Sequence, residues 1–154
     1  MRTAHGMVAL SVCIWIAGCG EAAEQDQRSS GDPAESITDV ATPHVQISAP
    51  AEGDTLDRGD VTVRLVVEGM VIVPAGVEQD SSGHHHLLVD APLPELDRPI
   101  PSEAGRYIHL GKGQTEYLVE GLSAGQHQVI ALVGDHLHVP LNPPVADTVR
   151  FVVR

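Results

Sequence analysis

Residues 61–67 read Val-Thr-Val-Arg-Leu-Val-Val, a run of mostly β-branched side chains that is the clearest β-strand of the chain. Similar short apolar runs, broken by Gly, Pro and Asp, recur from His44 to the C-terminus. No window of helical length shows a 3.6-residue apolar period. The other strands predicted from these runs lie at residues 45–47, 86–89, 107–110, 115–119, 128–133 and 148–153.

Seven short strands in one segment predict an all-β fold, an immunoglobulin-like two-sheet sandwich of about seven strands over residues 44–154. Residues 107–110 and 115–119 flank a Gly-Lys-Gly turn and predict a hairpin, whereas the proline-rich residues 92–101 cannot form a central strand. Aromatic residues make up only 3% of the chain, so the core must be aliphatic. Candidate core positions are Val63, Leu65, Leu88, Ile130, Leu132 and Val152.

The N-terminus carries the pattern of a secretion signal. A positive Arg2 precedes an apolar run of about eleven residues, which is too short to span a bilayer but fits a signal peptide. The run ends in Ile16-Ala17-Gly18-Cys19, which resembles the bacterial lipobox. Residues 1–18 are therefore predicted to be a lipoprotein signal peptide and Cys19 the lipidation site. The alternatives are a signal peptide with an incidental cysteine and a poor transmembrane anchor.

Several acyl chains on Cys19 would make a stable membrane anchor. Gly20 at the next position favours the outer membrane of the bacterial cell envelope over the inner one, with the domain facing the periplasm. Residues 19–43 are acidic, rich in Ser, Ala and Gly, and lack apolar periodicity, which predicts an acylated cysteine followed by a disordered tether. The formal net charge of −12 excludes a nucleic-acid partner, because phosphate binding needs a basic surface.

Histidines carry the chemistry of the predicted domain. Alternate residues of a strand share a face, so His84 and His86 should point one way and His85 the other, beside Leu87 and Val89. His136 and His138 should form a second such pair, and His109 ends the strand before the Gly-Lys-Gly turn. The strand order of an immunoglobulin-like sandwich brings these three segments to one end.

Neutral imidazoles that meet at one end of the sandwich are suitable ligands for Zn²⁺ or Cu²⁺. The sequence thus predicts a metal site, with zinc or copper as the cofactor, built from His84, His86, His109, His136 and His138. Cu⁺ is disfavoured, since Met70 is the one sulfur ligand near these segments. The alternative is a metal-free structural or protein-interaction module whose histidines bond to Asp90, Asp135 or backbone carbonyls, and pH sensing is a third interpretation.

Catalysis is not expected. Strong metal signatures such as His-Glu-x-x-His and Cys-x-x-Cys are missing from the sequence. Ser81 and Ser82 precede the histidines without the Gly-x-Ser-x-Gly elbow that activates a serine nucleophile. Asp90 and Asp135 are the candidate bases for a metal-dependent hydrolase, with no spacing that supports the role.

His127 has a different predicted role. Residues 122–127 read Leu-Ser-Ala-Gly-Gln-His, which matches the Leu-x-x-Gly-x-Tyr corner of sandwich domains with His127 in place of the tyrosine. In such a corner the ring bonds back to the backbone a few residues upstream. His127 is therefore predicted to be a structural corner residue rather than a metal ligand.

Three sequence elements carry a family resemblance: GHHHLLVD at residues 83–90, IHLGKGQTE at 108–116 and GQHQVIALVGDHLHVPLNPP at 125–144. They resemble the bacterial envelope family catalogued as domain of unknown function 4399, over about residues 45–154. Its members look like small β domains behind secretion signals, often lipoproteins. The resemblance implies a fold and a location without an activity, so the predicted function is a lipid-anchored envelope lipoprotein of uncharacterised role with a candidate metal site.

Overall fold

The computed structural model describes residues 41–154, and every regular element in that part of the chain is a β-strand. The nine strands are β1 (His44–Ala49), β2 (Thr55–Leu56), β3 (Val61–Glu68), β4 (Val71–Ile72), β5 (Ser82–Val89), β6 (Tyr107–Leu110), β7 (Glu116–Val119), β8 (Gly125–Gly134) and β9 (Ala146–Val153). All seven predicted strands are present. The two additional strands, β2 and β4, have two residues each.

The strands form two sheets. One has the order β1-β3-β7 and is antiparallel, and the other has the order β2-β9-β8-β5, with β4 and β6 both pairing with β5. β4 pairs with the start of β5 and β6 with its middle, so the two short strands share one edge. The all-β two-sheet sandwich is confirmed, and this pairing order is that of an immunoglobulin-like domain.

The predicted hairpin of β6 and β7 is wrong. β6 pairs with β5 in the larger sheet, whereas β7 pairs with β3 in the smaller one. Residues 111–115 therefore cross from one sheet to the other instead of closing a turn within a sheet. A glycine-rich turn permits a hairpin but does not determine which strand each flanking strand pairs with. Here β6 pairs with the edge of the buried β5, and β7 pairs with β3.

The larger sheet is buried on its inner face and on part of its outer face. Its inner face packs against the smaller sheet, with residues such as Val63, Leu65, Leu87 and Phe151 between them. Its outer face carries a second apolar cluster, formed by Leu88, Ala91, Ile100, Ile130 and Leu132. Residues 92–101 contain no strand, as predicted, and they contribute the buried Ile100 to this outer cluster.

Five of the six candidate core residues are buried, and Val152 is the exception. In β9 the neighbours Phe151 and Val153 are buried at 2% and 4% exposure, so strand alternation turns Val152 to the other face. The prediction for Val152 is wrong because it chose the parity of Thr148 and Arg150, whereas the buried face of β9 carries Val149, Phe151 and Val153.

The predicted signal peptide, Cys19 and the tether as far as residue 40 lie outside the described residues. Within residues 41–154 no helix has the length and hydropathy needed to cross a membrane.

Candidate metal centre

Strand β5 supplies two of the site's histidines through its alternation. His84 and His86 point to the outer face of the larger sheet and His85 to the inner face with Leu87, and all three histidines are at most 2% exposed. The strand can bury polar rings because β8 pairs with it along one side and β4 and β6 along the other. The predicted opposite placement of His85 agrees with these contacts.

His109 reaches the site because β6 pairs with β5. The antiparallel register places His109 directly opposite His86, and the two rings stack with centroids 5.0 Å apart. His109 is the exposed member of the group, so the site opens to solvent on its side.

His138 reaches the site through the turn that follows β8. The last residue of β8, Gly134, pairs with His84, so the turn begins beside that ring. Asp135 then accepts hydrogen bonds at Oδ1 from the backbone N–H groups of Leu137 and Val139, at 2.8 and 2.9 Å. This turn places His138 at a φ of 67°, in the left-handed region, and directs its ring back over the sheet.

The rings of His84, His86, His109 and His138 all lie in mutual contact, with centroids 4.8 to 5.8 Å apart; we call these four residues the histidine cluster. One ligand nitrogen each from His84, His109 and His138 lies within 4.8 Å of the other two. Tetrahedral zinc with bonds of about 2.0 to 2.1 Å holds its nitrogens about 3.3 Å apart. The three nitrogens therefore need to approach one another by about 1.5 Å at most to bind one ion.

His136 does not join the cluster. It was expected to pair with His138 as an alternate residue of an extended segment, but β8 ends at Gly134 and residues 135–139 form a turn. Strand alternation does not apply in a turn, and the ring contacts of the cluster do not include His136. Of the five histidines predicted to line the site, the structure brings four together.

Three members of the cluster, His84, His86 and His109, favour the neutral, metal-binding form. Burial, followed by the proximity of His138 and His109, lowers the pKa of His84 to about 4. Burial and the neighbouring imidazoles likewise lower the pKa of His86 to about 3, and burial together with His138 lowers that of His109. Crowded imidazoles cannot all carry a proton, so near pH 7 they present lone pairs instead.

Two buried ring nitrogens have no hydrogen-bond partner among the described residues: Nδ1 of His84 and Nε2 of His85. The other nitrogen of His84, Nε2, lies 3.1 Å from Nε2 of His86. A buried polar atom without a partner costs about 1–3 kcal/mol, and a metal ion bound at Nδ1 of His84 would remove that cost. His85 lies on the opposite face, where its Nδ1–H donates to the Gln114 carbonyl at 2.9 Å, and burial lowers its pKa.

Two glycines make room for the cluster. A Cβ atom at Gly111 would lie 2.3 Å from Cε1 of His109, and one at Gly134 would lie 3.2 Å from Nε2 of His86. Gly111 was predicted only as a turn residue, and no role was predicted for Gly134. Both glycines lie within four residues of a histidine, in His109-x-Gly111 and Gly134-Asp135-x-x-His138.

Gly111→Ala is expected to displace the His109 ring from the cluster, because the new methyl group would occupy the position of that ring. The affinity for Zn²⁺ should fall by on the order of 10-fold or more, while the domain stays folded. Lys112→Ala, an exposed change in the same turn, is the matched control and should leave zinc binding unchanged. Equal zinc affinities for the two variants in a calorimetric titration would contradict the role of Gly111.

His127 occupies a separate polar site. Its Nε2–H donates to the Ser123 carbonyl at 2.8 Å, and its Nδ1–H donates to Oδ2 of Asp90 at 2.7 Å. The bond to Ser123 is the backbone bond expected of a corner residue, four positions upstream. Burial opposes the charged form, but the acceptors on Ser123 and Asp90 outweigh it and raise the pKa of His127.

Asp90→Asn should reduce stability more at pH 6 than at pH 9. A raised pKa in the folded state means that the charged pair contributes fully below pH 6.5, and this contribution is lost as the pH rises through the folded pKa. The asparagine keeps an oxygen for the Gln128 N–H, which now bonds to Oδ1 of Asp90. We expect the free energy of unfolding, measured by urea titration, to fall by roughly 1 kcal/mol at pH 6. A loss that grows toward pH 9 would contradict the charged pair.

Comparison with known proteins gives one match. A family model described as Domain of unknown function (DUF4399) matches residues 63–154, more than half of the chain, and this range contains the whole histidine cluster. No curated protein matches the chain, and no solved structure matches it.

Proposed function

Because the chain belongs to the family described as Domain of unknown function (DUF4399), which assigns no activity, we propose a function from the site itself: the domain binds one Zn²⁺ or Cu²⁺ ion through His84, His109 and His138. The main support for the proposal is that one ligand nitrogen from each of the three histidines lies within 4.8 Å of the other two. One of these rings, His84, also has a buried nitrogen with no hydrogen-bond partner among the described residues. The exposed His109 gives an ion a path from solvent.

The donor set favours a borderline metal. The cluster offers only imidazole nitrogens, and these suit Zn²⁺ and Cu²⁺. Met70, the one sulfur ligand near the histidine segments in sequence, packs against the core between the sheets, away from the outer face that carries the cluster. A soft thioether is therefore not part of the site, which disfavours Cu⁺ as its ion.

Binding rather than catalysis is the proposed role. A metal-dependent hydrolase needs a carboxylate base that is free to accept a proton beside an open metal position. Oδ1 of Asp135 accepts two backbone N–H bonds in its turn, and both oxygens of Asp90 are bonded in the His127 corner. Asp90 and Asp135, the two candidate bases, thus already bond to groups of the fold.

The location of the domain is part of the proposal. The lipobox-like Ile16-Ala17-Gly18-Cys19 supports a periplasm-facing lipoprotein, anchored by acyl chains on Cys19 and presenting the metal site outside the cytoplasm. Mass spectrometry of the mature N-terminus tests this, with a diacylated Cys19 expected. A mature chain that begins at any other residue would contradict it.

The metal is tested by calorimetric titration of the full chain with Zn²⁺ near pH 7, with Cu²⁺ as a second probe. We expect one ion per chain, and zinc at 100 times its dissociation constant should stabilise the fold by about 2.7 kcal/mol, or roughly 10 °C in Tm. His138→Ala should weaken binding on the order of 100-fold or more, because it removes one of three ligands.

His136→Ala is the matched control, since it removes a histidine two residues away that lies outside the cluster. It should leave the zinc affinity unchanged. A wild-type chain that binds neither ion, or equal losses for His136→Ala and His138→Ala, would contradict the proposed site. The histidines would then be hydrogen-bonding residues of a metal-free interaction module.

A further inference from the structure

His84 and His86 share one hydrogen bond, which constrains where their protons lie. Nε2 of His84 and Nε2 of His86 are 3.1 Å apart, and two imidazole nitrogens can bond only if one of them carries a hydrogen. His84 is 0% exposed and His86 2%, so water cannot readily replace this bond. Each neutral ring has one N–H, and the choice of donor therefore fixes both tautomers.

The two choices leave different atoms unpaired. If His86 donates, the proton of His84 lies on Nδ1, which is buried and has no acceptor among the described residues. If His84 donates from Nε2, its Nδ1 is a bare lone pair. Buried N–H groups without an acceptor are rarer than acceptors that lack a donor, so the second arrangement is favoured. It is also the tautomer in which Nδ1 can bind a metal.

We propose that His86 is a positioning residue and not a metal ligand: it accepts the Nε2–H of His84 and thereby holds Nδ1 of His84 toward the ion. The inference rests on the proposed metal site and assigns the ligand atom and its support. Metal-bound histidines usually donate their second ring N–H to a fixed acceptor, which sets the tautomer and the ring orientation.

The surroundings of His86 fit this role. Its ring stacks on His109 on one side, and on the other side the missing side chain of Gly134 leaves the space in which Nε2 lies. A ring held from two sides in a buried position keeps its acceptor nitrogen in one place. His86 also lies outside the trio whose ligand nitrogens converge within 4.8 Å.

Two variants of the full chain separate positioning from ligation. His86→Gln replaces the ring by an amide whose oxygen can accept the same hydrogen bond but is a poor zinc ligand. His86→Leu fills the space and accepts nothing. We expect Zn²⁺ affinity within about threefold of wild type for His86→Gln and about 10- to 100-fold weaker for His86→Leu.

The electron paramagnetic resonance spectrum of bound Cu²⁺ adds a count of ligand nitrogens, which should be the same in wild type and His86→Gln. If both variants lose affinity equally and His86→Gln shows one nitrogen fewer, His86 is a fourth ligand and the inference is overturned. Wild-type affinity in a folded His86→Leu chain would overturn it as well.

Nitrogen-15 spectra of the histidine rings in the metal-free wild-type chain test the tautomer without any variant or metal. The expected result is a proton on Nε2 of His84 and none on Nδ1. A proton on Nδ1 would refute the inference even where zinc binds. A wild-type chain that binds no metal would refute the proposed function, whatever the tautomer.

Discussion

Lowering the pH from 7 to 4.5 should destabilise the metal-free protein by roughly 5 kcal/mol through His84 and His86 alone. Their folded-state pKa values are about 4 and about 3, whereas an unfolded histidine titrates near 6.5. Below pH 6.5 the unfolded chain therefore binds protons that the folded chain does not, so stability falls as the pH falls. The loss is comparable to the whole stability of many domains, and acid unfolding should follow.

Urea unfolding at a series of pH values measures this effect, and His86→Leu isolates one of its sources. Between pH 6 and pH 4.5 the free energy of unfolding of the variant should fall by about 1.4 kcal/mol less per pH unit than that of the wild-type chain. The reason is that the variant has one buried histidine fewer to protonate. Carboxylate titration is common to both chains and cancels in the comparison. Parallel curves for wild type and His86→Leu would show that burial of His86 does not hold it neutral.

Leu87→Ala and Leu88→Ala should each cost about 2–5 kcal/mol of unfolding free energy. Both leucines are fully buried, but they face opposite sides of the larger sheet: Leu87 packs in the core between the sheets and Leu88 in the outer cluster with Ile100. Similar losses are expected because each change opens a cavity in a closely packed region.

Leu137→Ala is the control, with the same change of side chain at a position that is 62% exposed. It should change stability by less than about 0.5 kcal/mol in the same denaturant titration. If Leu88→Ala were as mild as Leu137→Ala, residues 92–101 would not cover the outer face of the sheet. The same segment also holds the turn that carries His138, since Ile100 donates its N–H to the His138 carbonyl at 2.8 Å.

The fold was predictable from short β-branched runs because each strand carries its own local signal. Strands β3 and β9 could be recognised from composition and spacing alone. The partner of a strand has no such signal: β6 and β7 are neighbours in sequence but pair in different sheets. The facing of Val152 did have a signal that the prediction missed, since Thr148 and Arg150 share its parity while Val149 and Phe151 have the other.

The site was predictable as far as strand geometry reaches. Alternation placed His84 and His86 on one face and His85 on the other, and strand order brought His109 and His138 to them. The same rule failed for His136, because a turn capped by Asp135 has no alternation.

A single sequence does not predict which side chains have room in the site or which ring nitrogens have hydrogen-bond partners. Gly111 and Gly134 leave space for histidine rings because they have no side chain, and only the three-dimensional structure shows which rings occupy that space. The unpartnered Nδ1 of His84 depends likewise on the packing around it. These features account for two glycines and one aspartate near the histidines of this chain: Gly111 and Gly134 leave room for rings, and Asp135 shapes the turn that carries His138.

The most direct test of the central claim is the zinc X-ray absorption spectrum of the full chain loaded with one equivalent of Zn²⁺ near pH 7. The proposed site predicts three imidazole nitrogens at about 2.0 Å, with the ring scattering that identifies histidine, and loss of that signal in His84→Ala. A zinc ion surrounded only by oxygen atoms, or a spectrum that His84→Ala leaves unchanged, would contradict a metal site at the histidine cluster.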